Sequence, residues 1–408
     1  MENRTASPLF QPITLGTLEL PNRLIKSATY ECMNDELGVP TNDLIKLHTM
    51  IAEGGIGLNT VSYGLIDPSG KAFSRQLRLY SDRAWSRLQE LVDAVHAAGG
   101  RVALQLMHGG RASDPELCSG VTWAPSPVRD PVRLSQPREL PPSRIQRLID
   151  AFAAAAERTQ SAGFDGVQLH AAHGYLISQF LSPFTNRRDD EWGGDAERRR
   201  RFLREVYHRV REAVGPDYPI LIKLNLTDEV NGGVEVSEVA QTVSALASWG
   251  IDCIGLSGGF CNEAVFFISR GSLPIDIAQR GEPFFKRLVI GTMLTLMKDK
   301  VAFEREAYFL DKALAVAKGI DVPISLVGGM RSRAVMEKVL QTGEIDMISL
   351  ARPLVRDPDF PRKLQTGQVD ASTCINCNRC VAELAHESRL HCYHTYPPGE
   401  NPYAGWLV

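Results

Sequence analysis

Eight short apolar runs, each followed by a stretch with apolar residues at helical spacing, constrain this chain more than any other feature. They read "NRLIKSA", "GLNTVSYG", "RVALQLM", "GVQLH", "PILIKL", "DCIGLS", "PISLV" and "DMISL". Between them, segments such as "AWSRLQELVDAVHAAGG" carry the period of an amphipathic helix, with Asp82 as the expected cap and Gly99 and Gly100 as the stop. Strand then helix, eight times over, predicts an α/β fold: a closed parallel (β/α)8 barrel of the TIM type. Strands of such a barrel are buried on both faces, so they need not alternate polar with apolar.

The C-terminal ends of barrel strands carry the active site, so polar residues there need a reason. They are Tyr30, Tyr63, Gln105 with His108, His170 with His173, Lys223 with Asn225, Ser257, and the glycines Gly328 and Gly329. Two segments exceed a plain barrel over residues 1–367. One is a long insertion after strand six, at about 260–310, containing "EPFFKRLVIGTMLTLMKDKVAF". Its apolar core, Leu288 to Met297, is too short to span a bilayer and is bounded by Lys286, Arg287, Lys298 and Lys300. A helix packed on the barrel is expected, with a partner-docking or membrane-surface helix as the alternative. The other is a cysteine-rich tail, 368–408.

Composition excludes several classes. With 44% hydrophobic and 23% charged residues the chain can bury a large core. A net charge of −3 and the lack of a basic block give no nucleic-acid footprint; Arg198 to Arg201 read as one solvated helix start. The N-terminus lacks a signal-peptide pattern and no run reaches the roughly 18 apolar residues of a membrane span, so a cytoplasmic location is the default. A homo-oligomer is compatible with all of this.

Four of the eight cysteines crowd into "CINCNRCVAELAHESRLHC", where Cys374, Cys377, Cys380 and Cys392 form a C-x2-C-x2-C-x11-C array. In a reducing compartment such crowding points to metal. The spacing suits a 4Fe-4S cluster and also a four-cysteine zinc site. Cys32, Cys118, Cys253 and Cys261 read as scattered residues outside the array.

"PISLVGGMRS" and "DMISLARPL" end strands seven and eight, where a phosphate commonly sits against glycine backbone and a helix N-terminus. Gly329, Met330, Ala351 and Arg352 are the candidates. In "HAAHGY", His170 and His173 admit three readings: a metal clamp wanting a third ligand, packed core imidazoles, or a holder for a substrate oxygen beside Tyr175.

"LPNRLIKSATYE", "LQLMHGGR", "LHAAHGYLISQFLSPFTNRRDDEWGG" and "DMISLARPLVRDPDFPRKLQTG" together resemble the old yellow enzyme family of FMN-dependent oxidoreductases. The resemblance runs in order from about Leu9 to Gly367. It implies FMN at the barrel mouth, met by backbone of Ala28 and Thr29, by Tyr63, by the Gln105 amide, and by Lys223, where the family usually has arginine. Tyr30 and Tyr63 stand where relatives carry different side chains. His170 and His173 would hold the oxygen of a substrate with an electron-poor double bond, and Tyr175 would be the general acid. The cysteine array resembles the cluster loop of the larger relatives dienoyl-CoA reductase and trimethylamine dehydrogenase. Their dinucleotide-binding domain has no G-x-G-x-x-G counterpart here.

The expectation is therefore an ene-reductase acting on an α,β-unsaturated carbonyl or thioester, reduced by NAD(P)H or by a separate flavoprotein or ferredoxin. Its rivals are an amine or acyl dehydrogenase running oxidatively, an FMN and iron-sulfur electron-transfer subunit, and a zinc-stapled barrel without redox chemistry.

Overall fold

The computed structural model describes residues 7–263, 268–397 and 400; the N-terminal six residues, a short part of the expected insertion and the end of the expected tail lie outside the described residues. All eight apolar runs are strands: β1 (Leu24–Lys26), β2 (Leu58–Leu65), β3 (Val102–Met107), β4 (Gly166–Ala171), β5 (Ile220–Asn225), β6 (Cys253–Ser257), β7 (Ile324–Leu326) and β8 (Met347–Leu350). Each pairs in parallel with the next, and β8 pairs with β1, which closes the barrel. Its core residues, such as Leu104, Leu106, Val167, Leu169 and Ile222, have no exposed surface. Burying one such side chain is worth at most about 1.5–3 kcal/mol.

A short antiparallel hairpin, Ile13–Leu15 with Leu18–Leu20, closes the bottom of the barrel. Leu15, Leu18 and Leu20 pack there on Leu58, Ala103, Leu221, Cys253 and Met347, which lie at or near the starts of their strands. The other end stays open for a site.

The outer helices sit where the periodicity places them, including α1 (Asn42–Glu53), α2 (Asp82–Ala97), α3 (Pro142–Ser161) and α4 (Ala196–Val214). Asp82 is not the cap of α2. Ser81 takes that position, and the Asp82 carboxylate accepts from Arg158 at 2.6 Å from within the first turn, where a negative charge also suits the helix dipole. The arginine run lies in α4, whose cap is Asp195, with Arg199 paired to Glu238 and Arg201 to Glu191.

In β2 the pairing with β3 shifts register between Val61 and Gly64. Such an irregularity at a barrel rim re-aims side chains: of the two residues inside it, Tyr63 lines the mouth and Ser62 donates to the buried Glu31. Little room is left at Gly64, where a Cβ would lie 2.4 Å from Leu79 Cδ1 and 3.1 Å from the Gln105 carbonyl oxygen.

The insertion holds a helix at Phe284–Met297, as expected, but only Leu294 on it is fully buried, while Phe284, Phe285 and Leu296 are more than 70% exposed. Insertion and tail, separate in the sequence reading, are tied together. Arg280 donates twice to Glu383, at 2.9 and 2.6 Å, and Asn378 Nδ2 donates to the carbonyls of Ser269 and Ser272. Among the described residues no helix is long and apolar enough to cross a membrane.

Candidate active site

A cavity of about 710 Å³ opens at the C-terminal mouth of the barrel, a size typical of cofactor sites. Its lining includes ten of the twelve residues expected to act in catalysis or hold FMN: Ala28, Thr29, Tyr63, His173, Tyr175, Lys223, Gly329, Met330, Ala351 and Arg352. Gln105 and His170 are not part of that lining, although the His170 ring lies 5.1 Å from that of His173 and 4.9 Å from that of Tyr175. The tail walls one side of the cavity through Val381, Leu384, Ala385 and Leu390, a contribution with no signal in the sequence.

His170, one residue before the end of β4, lies opposite Lys223 of β5. Its Nδ1 accepts from the Ala172 amide at 3.3 Å, so the neutral ring carries its proton on Nε2, and that buried atom has no hydrogen-bond partner. Burial, then His173 and Lys223, hold the ring neutral well below the usual histidine range. His173 sits at a positive φ of 62°, in the sparsely populated left-handed region, with its amide bonded to Asn225 Oδ1 at 3.0 Å. Its Nε2 is shared with Ser257 Oγ at 2.7 Å, and burial followed by the Lys223 charge pushes its pKa down to about 3.

Tyr175 begins a short helix, Leu176–Leu181, and is buried. Burial raises its phenol well above 10, and its ring packs with Tyr63 and Cys261 at the mouth. Cys261, expected as a scattered residue, therefore belongs to the site. Asn262 and Glu263 beside it are pinned to Asp130 and Arg111, which fixes this loop after β6 over the mouth. Tyr30 stacks on Phe73 with centroids 4.4 Å apart, and Tyr63 lies 6.0 Å from Phe73, giving an aromatic wall. His108 is structural: its Nδ1 accepts from the Gly110 amide and its Nε2 meets Ser69 Oγ.

Beneath the cavity lies a buried polar network the sequence reading missed. Lys26 Nζ donates to Glu31 at 2.8 Å, and Glu31 also accepts from Ser62 at 2.5 Å. Burial works against the Glu31 charge, but Lys26 and His48 outweigh it and lower its pKa. A lysine inside an apolar strand was the available signal. Lys223 donates to Ser27 Oγ at 2.8 Å, and burial, then Lys26, lower its pKa to about 7. Gln105 donates to Gln168 at 2.6 Å, while its Oε1 is buried without a partner.

At the phosphate end, Gly329 has φ +70°, and a Cβ there would come within 2.7 Å of Phe303 and 2.9 Å of Tyr308. Past Met330, the amides of Arg331 and Ser332, at the start of a helix over Arg333–Leu340, are taken by Glu306 Oε2 at 2.9 and 2.8 Å. That helix N-terminus is thus filled by a carboxylate of the chain itself. Arg352 Nη1 donates to the Arg270 carbonyl and to Asn378 Oδ1, joining insertion and tail.

Cys374, Cys377, Cys380 and Cys392 line one small cavity of about 20 Å³ with Arg352, and both Cys380 and Arg352 also line the large one. Among the described residues, no group of three His, Cys, Asp or Glu side chains is set to hold a single metal ion.

The sequence profile of the NADH:flavin oxidoreductase / NADH oxidase family matches residues 8–262 and 286–371. An NADH oxidase of Thermoanaerobacter brockii is 33% identical over 94% of this chain and 55% of its own length. A 4,4'-dithiodibutanoate disulfide reductase of Rhodococcus erythropolis is 32% identical over 92% and 93%. The solved complex of 2-naphthoyl-CoA reductase with 2-naphthoyl-CoA superposes with a TM-score of 0.78 at 28% identity, covering 91% of this chain and 54% of that one. The chain thus spans about half the length of two of these three proteins.

Proposed function

The chain belongs to the NADH:flavin oxidoreductase / NADH oxidase family, the old yellow enzymes, and is an FMN-dependent oxidoreductase; from that premise we propose that it reduces the activated C=C bond of an α,β-unsaturated carbonyl or thioester. One observation carries the reading: His170, neutral and buried, has an Nε2–H with no partner, set against Tyr175.

The cavity volume and the unpartnered Gln105 Oε1 fit FMN. Lys223, the Ala28 and Thr29 backbone, Tyr63 and Gln105 would hold its ring system, and Gly329, Met330, Ala351 and Arg352 its phosphate. Bound FMN supplies the hydride. His170 donates Nε2–H to the substrate oxygen, and this bond strengthens as negative charge grows there, which lowers the barrier more than it stabilises the ground state. His173, oriented by Asn225 and Ser257, presents the second imidazole. Both rings stay neutral, because burial beside Lys223 keeps them unprotonated, and His170 supplies the free N–H. Tyr175, protonated across the physiological range, delivers its proton to the α-carbon, and Tyr63 lies in reach to reload it.

Cys374, Cys377, Cys380 and Cys392 would hold a 4Fe-4S cluster, which supplies single electrons. Four thiolates gathered at one small cavity would suit zinc as the alternative, and metal analysis of the purified protein decides between them. The reductant is NAD(P)H or a partner flavoprotein or ferredoxin. The aromatic wall of Tyr30, Tyr63 and Phe73 supports a second reading, oxidation of a methylated amine held by cation–π contact.

The test is anaerobic purification with FMN and iron analysis, then turnover with enones and enoyl thioesters under each reductant. Turnover of none of them, with flavin bleached by an amine alone, would replace the first reading by the second.

A further inference from the structure

Lys223 is a buried cation site with no anion. Its side chain is 5% exposed, and its Nζ has a neutral partner, Ser27 Oγ. Among the described residues no carboxylate forms an ion pair with it. The groups that face it do not supply one. From β1, Lys26 is neutralised by Glu31, whose two oxygens are engaged by Lys26, Thr29 and Ser62. From β4 and the turn after it come His170 and His173, both held neutral. From β6 the opposing residue is Gly255, which has no side chain. A protonated Lys223 in the empty barrel would be an uncompensated buried charge, which is costly.

We propose that Lys223 is a proton acceptor coupled to flavin reduction: a neutral amine in the oxidised enzyme, it takes one proton from solvent as two electrons reach the bound FMN. The inference rests on the FMN reading above. Two electrons and one proton leave the flavin with one negative charge. The amine gains a second proton and becomes the ammonium that balances it, and no group leaves. An arginine at this position would stay charged in both states and take up nothing. The lysine thus adds a proton to the reductive step under neutral to alkaline conditions, consistent with a pKa lowered to about 7 by burial and Lys26.

The experiment is the reduction equilibrium of the FMN-loaded full chain against redox dyes between pH 6 and 9.5, for wild type and Lys223→Arg. With one proton per two electrons the equilibrium falls tenfold per pH unit. The wild type is expected to steepen to a hundredfold per unit above pH 7, and Lys223→Arg to remain at tenfold. A second reading counts protons taken up at pH 8.5 from weakly buffered indicator solution on reduction by a viologen, which carries electrons and no protons: two per FMN are expected. Equal slopes in both proteins, or one proton per FMN in the wild type, would overturn the assignment, and the wild-type count decides even if the variant fails to hold flavin. A colourless protein unable to take up FMN overturns the flavin reading itself; a yellow one with a single proton overturns only Lys223.

Discussion

His173 Nε2 and Ser257 Oγ lie 2.7 Å apart, joining the turn after β4 to the end of β6 across the barrel mouth. The bond ties up the ring nitrogen that a substrate would otherwise meet and leaves His170 Nε2 as the unpartnered donor. The two imidazoles, equivalent in the sequence, are therefore unequal. His170→Ala is expected to lower kcat by roughly 100-fold or more, in line with loss of one preorganised donor. Ser257→Ala, which only loosens His173, should cost about tenfold or less. Steady-state kinetics with one enone measures both, and equal losses would show that the rings act as a symmetric pair.

Tyr175→Phe separates the half-reactions. Flavin reduction by the nicotinamide needs no proton from this phenol and should keep its rate. Flavin reoxidation by the alkene should slow by about 10²- to 10⁴-fold. Stopped-flow absorbance of each half-reaction reads this, and an unchanged oxidative half-reaction would remove Tyr175 from its role.

Gly329→Ala places a methyl against Phe303 and Tyr308 at a positive φ. The variant should lose more than about 1 kcal/mol of stability and hold less flavin, read by thermal unfolding and by the flavin to protein ratio. Wild-type flavin content would mean that this turn does not approach the phosphate.

Five histidines with depressed pKa values set the acid limit of the fold, among them His391, lowered first by burial. His48 and His108 are lowered to about 4 and His173 to about 3, burial being the first cause in each, and His170 is also lowered. A histidine with a depressed folded pKa stabilises the fold fully above its unfolded value near 6.5 and loses that contribution as pH falls toward the folded value. The depressed carboxylate Glu31 acts only below about 4.5, and burial raises Asp228 and Glu263, whose protonation works in the opposite sense, so a loss of stability from 6.5 to 4.5 reports the histidines. The urea midpoint of the apoprotein should fall steadily across it. A flat profile would mean that these rings are hydrated in the folded state.

Glu31→Gln would leave Lys26 buried beside Lys223 without its carboxylate. Breaking such a pair costs about 3–5 kcal/mol, whereas Lys26→Met with Glu31→Leu should recover much of the loss. Urea unfolding of the single and double variants measures the difference.

The barrel was legible in the chain, because strand and helix periods are properties of neighbouring residues and each of the eight runs carries its own signal. The sequence also marked the strand ends as the place for polar chemistry, and the cysteine spacing as one group. Tertiary structure alone decided the pairings. Ser257 is 84 residues from His173, and Glu306 reaches the amides of Arg331 and Ser332 from within the insertion. Cys261 packs by Tyr175 on a loop held by Arg111, Asp130 and the His173 carbonyl. Nothing local in the chain encodes such contacts: they follow from barrel closure, which brings the ends of distant strands to one rim and leaves each buried polar atom to find its partner there.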